Sequence, residues 1–280
     1  MNPIEQLILG LQCMLRTARE WARGSLWAPW LALLLLQAFL SFVIAWGAHP
    51  LFSWVVAPLL TALGEKDVLA YPLLFKRLPA IMARVDGPLQ ILVAPIVVGA
   101  ATVLFAAQFE RAPVRGSDAM RAALRRAPAL IVCMLPPPLI AWGLHYLSNV
   151  VLGGDFSAMT KRLAPDTAAV LAVIVSAACL YAPVLVMLEG RGLRALLVLP
   201  GTWSRGFLAA LPIIVVGALI TLPTIMLARQ ADVIVERGVP ELTLAVTLLR
   251  FAAGAVAAFV VTGAATLAWQ VTLRDRQGQP

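Results

Sequence analysis

The chain has 280 residues, 61% of them hydrophobic and 13% charged, with a mean hydropathy of +0.89. A soluble domain is roughly 45–50% apolar and about 25% charged, so this composition excludes an ordinary water-soluble globule and makes a lipid bilayer the solvent. The net charge of +8 sits mainly in arginine clusters with no interleaved aromatic residues, which argues against nucleic acid and for lipid headgroups.

Residues 1–25 read as a cytoplasmic amphipathic segment. Ile4, Leu7, Ile8, Leu11, Leu15 and Ala18 recur at helical spacing, and Arg16, Arg19 and Arg23 gather towards the end. The apolar run 26–46 is too long for the core of a signal peptide, so it is read as a retained first membrane helix. Residues 49–87 are harder. The run 51–63 is short and contains Pro58, and 68–84 mixes leucines with Lys76, Arg77 and Arg84. Both pieces fit interfacial or re-entrant helices; an extra span at 51–63 would invert everything downstream.

The second span is expected at 88–109. An elbow follows at 110–127, where Ser117 or Asp118 can cap a short helix carrying Arg121, Arg125 and Arg126. The third span, 128–151, holds Pro136, Pro137 and Pro138 at its middle. Proline removes a backbone donor and restricts the residue before it, so Leu135 is expected outside the helical region and the span broken into two half-helices. The fourth span is expected at 167–188. Glu189, Arg191, Arg194 and Arg205 mark a second basic elbow, and the fifth span follows at 207–228. The sixth runs over 242–273, and 274–280 is a polar tail.

The expected fold is therefore all-α: a polytopic membrane bundle of six helices over 26–273, arranged as three hairpins joined by basic cytoplasmic elbows. Thirteen of the 22 basic residues fall on the side of the termini and nine on the other, which puts both termini in the cytoplasm. Three elbows place arginine and then proline before an outgoing span: ARGSLWAP from Ala22, LRRAP from Leu124 and SRGFLAALP from Ser204. Membrane-interface physics or an ancestral repeat would each produce this.

The second elbow carries a resemblance. Glu189, Gly190, Leu193, Ala195, Leu196, Trp203, Arg205 and Phe207 are similar to a unit in the bacterial membrane domains found with glycerophosphodiester phosphodiesterases, and in related stand-alone six-helix proteins. Residues 116–130 look like an earlier copy. Leu199-Pro200 departs from the pattern, where the family tends to have a polar or basic pair. With no soluble phosphodiesterase domain in the sequence, the resemblance implies the membrane fold and not that activity.

No nucleophile motif, phosphate-binding loop or paired intramembrane carboxylate is present, so no enzyme activity and no cofactor is expected. Cys13, Cys133 and Cys179 lack metal-ligand spacing, and His49 and His145 are the only histidines, so no metal is expected either. Arg121, Arg125, Arg126, Arg191, Arg194 and Arg205 are the candidate lipid-headgroup residues. Cys133, Pro136, Pro137, Pro138, His145, Thr221 and Thr224 would line a cavity at the broken third span, if one exists. Gln37, Ser41, Thr221, Thr224, Thr262, Thr266 and Gln270 are expected to bond between helices. Gly254, Ala258 and Thr262 form a small-residue stripe on the sixth span, packed within the bundle or against a second copy or partner protein. The expected role is that of a non-enzymatic accessory or scaffold subunit of the bacterial inner membrane, in contact with phospholipids. The alternative is a transporter or lipid-handling protein with its cavity at the third span.

Overall fold

The computed structural model describes residues 2–47, 49–62, 71–112, 114–154 and 158–277. Residues 63–70, which include the end of the first and the start of the second expected interfacial piece, and residues 155–157 lie outside the described residues. The helices are α1 (Pro3–Arg19), α2 (Gly24–Ala45), α3 (Pro50–Ala62), α4 (Leu73–Leu92), α5 (Ala94–Phe109), α6 (Gly116–Arg125), α7 (Ala127–Met134), α8 (Pro136–Gly153), α9 (Ala158–Cys179), α10 (Ala182–Met187), α11 (Ala195–Arg229), α12 (Ala231–Arg237) and α13 (Leu242–Gln277). The chain is all-α. Among the described residues, five segments are long and apolar enough to cross a membrane: Gly24–Ala45, Ala127–Gly153, Asp166–Met187, Gly206–Arg229 and Leu242–Thr272. A sixth is added if α4 and α5 form one broken span. This is a multi-pass membrane protein.

Several expected boundaries shift, each for a physical reason. The second span does not run unbroken from 88 to 109, because the helix is interrupted at Val93. The fourth is interrupted at Leu180 and Tyr181, just before Pro183. The second elbow is shorter than expected: it turns at Glu189–Arg194, and its later residues form the first turns of the continuous 35-residue α11. Leu135 stays right-handed helical, at φ −68 and ψ −35. The three prolines occupy the first turn of α8, where a missing N–H costs no intrahelical bond. The third span thus divides at Leu135, but by starting a new helix and not by expelling Leu135 from helical geometry.

The chain divides into two compact units. The first comprises Met1–Pro29, Ala94–Gly217 and Phe259–Pro280. The Asn2 side chain accepts from the Ile4 N–H and the Asn2 N–H donates to the Glu5 carboxylate at 2.8 Å, a reciprocal cap that fixes where α1 starts. Its predicted apolar stripe, Ile4, Leu7, Ile8, Leu11 and Leu15, is exposed, and the smaller Gly10, Cys13 and Thr17 are buried. That inverts the soluble pattern, as expected where lipid covers the apolar side. A Cβ on Gly10 would lie 2.4 Å from the Ala209 carbonyl oxygen, so α1 and α11 meet backbone to backbone. Gly263 permits a second close approach, with Thr17 and Phe105 around it. Trp27 stacks on Phe259 with ring centroids 4.2 Å apart, and Phe105 meets the same ring edge-on at 5.0 Å. Burial pushes the Cys13 thiol up to about 11, which keeps it protonated and unreactive.

The second unit comprises Trp30–Val93 and Ala218–Ala258. Its core joins Ile44 of α2, Val56 and Leu60 of α3, Leu78, Ile81 and Met82 of α4, and Phe251 of α13. At 13 residues, α3 is about 20 Å long, well short of a roughly 30 Å hydrocarbon core. It buries Val56 and Leu60 and exposes Leu51, Trp54, Val55 and Leu59. Lys76 ties α4 to α12 through Glu236 at 3.1 Å and Asp232 at 3.5 Å.

Polar residues within the spans behave differently from expectation. Ser41, Thr221, Thr224 and Thr266 donate to carbonyls three or four residues earlier on their own helices. A hydroxyl on a helix reaches that carbonyl without any partner helix, and this satisfies it locally. The longer glutamines do cross. Gln37 donates to Asp86 at 2.6 Å, and Gln270 donates to Glu110 at 3.0 Å.

Candidate functional site

The second elbow is built by capping. α10 ends at Met187 with carbonyls that lack intrahelical donors. Arg126, just after α6, supplies them: its Nη1 donates to the Val186 and Met187 oxygens, each at 2.7 Å. A guanidinium at a helix C-terminus also faces the negative end of the helix dipole. The chain then turns through Gly190 at φ +67 and Gly192 at φ +53, left-handed positions that suit glycine. The Arg191 N–H reaches back to the Leu185 oxygen at 3.3 Å. Cys133 packs its sulfur 3.7 Å from the Gly192 oxygen. The elbow is thus stapled to α7 from two positions.

Two further contacts close the arrangement. Trp203 Nε1 donates to the Ala178 oxygen at 3.0 Å, near the end of α9. Tyr181 donates its hydroxyl to the Gly206 oxygen at 3.1 Å, and its ring lies against Trp269. A Cβ on Gly206 would come within 2.8 Å of the Tyr181 ring. The acidic-glycine exit and the aromatic that carried the resemblance therefore have structural work here. They end one helix, turn the chain and close the break at Leu180–Tyr181.

The predicted basic residues separate by environment. Arg126 is engaged by carbonyls. Arg191 pairs with Glu189. Arg121 is exposed and 3.5 Å from Asp118. Arg125 is exposed, with no carboxylate in ion-pair range among the described residues. Arg194 lines a recess of ≈ 520 Å³ with Gly190, Arg191, Leu197 and Val198. The side chains of Arg205 and His145 lie outside the described residues. Arg126 as a staple was not legible from the sequence, because its acceptors lie 60 and 61 residues away.

Cys133 and the three prolines belong to the first unit, and Thr221 and Thr224 to the second. Cys133 is fully buried, whereas the prolines are partly exposed. With Cys13 and Cys179 changed to Ala, a small water-soluble maleimide is expected to leave Cys133 unlabelled until the protein is denatured. Rapid labelling of the folded chain would show that water reaches the third span.

No known protein family matches the chain, and neither a curated protein nor a solved structure matches it.

Proposed function

We propose that this chain is a non-enzymatic protein of the bacterial inner membrane, an accessory or scaffold subunit whose basic elbows hold anionic phospholipid headgroups on the cytoplasmic side. One observation carries the reading. Arg194 shares its recess with Leu197 and follows Leu193 in the chain, and both leucines are strongly exposed. Arginine beside exposed leucine is a side-chain combination of a headgroup interface, where apolar groups enter the acyl boundary and guanidinium groups meet phosphate. Arg121 and Arg125 repeat it at the first elbow beside exposed Leu124. The likeness to membrane domains accompanying phosphodiesterases belongs to the same proposal. The transporter reading is not favoured, since Cys133 is sealed against the elbow.

The test replaces Arg121, Arg125 and Arg194 with Gln together and leaves the stapling Arg126 intact. Each basic residue near an anionic surface contributes about 1 kcal/mol. The variant is expected to keep its melting temperature and to lose most of its co-purifying phosphatidylglycerol and cardiolipin, read by lipid mass spectrometry. Unchanged anionic lipid content would overturn the reading. A fluorescent reporter fused after Ser117 is expected to light in the cytoplasm, and a dark one would reverse the orientation.

A further inference from the structure

Arg16 and Arg19 lie three residues apart near the end of α1, so they share one side of the helix. They line a cavity of ≈ 340 Å³ in the first unit, within the roughly 300–1,000 Å³ range of small-molecule sites. Phe109, at the end of α5, and Leu267 and Val271 of α13 give it an apolar wall. Gln270 stands between those two, but its amide nitrogen is committed to Glu110 at 3.0 Å and to the Ala106 oxygen at 3.4 Å.

Glu20 lines the same cavity. Its Oε2 is buried and receives no hydrogen bond. Arg23 comes within 2.8 Å of that oxygen, yet off hydrogen-bond geometry. Among the described residues neither Arg16 nor Arg19 has a carboxylate in ion-pair range. The cavity therefore combines two exposed guanidinium groups without an ion-pair partner, one carboxylate that is paired with Arg23 but accepts no hydrogen bond at its buried oxygen, and an apolar wall.

A simple anion fits this badly, because it would satisfy the arginines and sit against Glu20. A buried acceptor without a donor is costly, and a ligand ammonium would relieve it. Guanidinium groups bind phosphate in bidentate fashion. We propose that the cavity binds the phosphoethanolamine headgroup of a membrane phospholipid. The phosphate meets Arg16 and Arg19, the ammonium meets Glu20, and the glycerol end follows Phe109 and Leu267. The exposed apolar stripe of α1, ending at Leu15 beside Arg16, supplies the route by which the lipid reaches it. This site is separate from the elbows and differs in selecting a zwitterion over an anion.

The test uses the full chain, delipidated in detergent and offered phosphatidylethanolamine, phosphatidylglycerol or free phosphoethanolamine, with adducts read by native mass spectrometry. With Arg121, Arg125 and Arg194 changed to Gln, so that the elbows no longer hold anionic lipid, the chain is expected to retain phosphatidylethanolamine over phosphatidylglycerol. E20Q is expected to lower that preference roughly tenfold, as loss of one ammonium–carboxylate contact would. R16Q/R19Q is expected to abolish both adducts at this site, and R16K/R19K to restore part, which separates binding from folding. The Arg121, Arg125 and Arg194 triple variant is expected to keep the phosphatidylethanolamine adduct, so the two readings fail independently. A preference unchanged by E20Q, or phosphatidylglycerol outcompeting phosphatidylethanolamine in the Arg121, Arg125 and Arg194 triple variant, would overturn the assignment. Equal retention of free phosphoethanolamine would assign the cavity to a soluble ligand and overturn the lipid.

Discussion

Replacing Gly10 with Ala is expected to lower the stability of the detergent-solubilised protein by about 1–3 kcal/mol, the cost of overpacking a tight contact. Two effects compete at this position. Alanine raises helix propensity by about 1 kcal/mol over glycine. Against that, the new Cβ would sit 2.4 Å from the Ala209 oxygen and 2.8 Å from Pro212 Cγ. The first of these is backbone in the middle of α11 and cannot rotate away, so the clash wins and α1 must move outward. Gly263→Ala meets Thr17 Cγ2 at 2.3 Å and Phe105 Cε1 at 2.8 Å. Thr17 is held by its bond to the Cys13 oxygen at 2.8 Å, and Phe105 by the edge of Phe259. It should be destabilising in the same range. Gly143→Ala is the control: nothing lies within 4 Å of its Cβ position, so the propensity gain stands alone. Thermal unfolding of the three variants checks the argument. A Gly10→Ala protein as stable as Gly143→Ala would show that α1 does not pack on α11 as described.

The small-residue stripe expected on the sixth span illustrates what sequence could show. Small residues at helical spacing were visible, but their partner was not. Gly254 has open space around its Cβ position, whereas Gly263, on the neighbouring stripe, is the one that admits Thr17 and Phe105. Spacing gives the face of a helix, and only tertiary contact says what meets it. Apolar runs made the spans legible, since a run near 20 residues has few other uses. The prolines of the third span mark its break, and Pro95, in the first turn of α5 just after Val93, is the corresponding signal for the break in the second span. Nothing local in the sequence marks Asp86 as a partner, since its bond to the buried Gln37 depends on α4 meeting α2. The candidate site was legible as charge. Arg121, Arg125 and Arg194 stand exposed as expected, but nothing local separated them from Arg126, whose partners are on another helix.

Arg126→Gln is expected to cost about 1.5–3 kcal/mol, the usual range for hydrogen bonds to a charged group. Two carbonyls at the end of α10 would lose their donor together. Water can replace part of it, because Arg126 is exposed like its neighbour Arg125, so the lower half of the range is the better expectation. The effect should be local before it is global. Releasing Val186 and Met187 frees the turn through Gly190 and Gly192, and that turn supplies the oxygen against which Cys133 packs. Hydrogen exchange should therefore accelerate across residues 188–194 while the core of α5 stays protected, and Cys133 should become reactive to maleimide in the folded protein. Arg126→Lys should recover part of the protection, since one ammonium can reach a carbonyl but lacks the planar fork. Arg125→Gln, one residue away and exposed, separates the staple from simple loss of charge. If Arg125→Gln exposed Cys133 as strongly as Arg126→Gln, the effect would come from surface charge, and the capping of α10 would not be what holds the elbow.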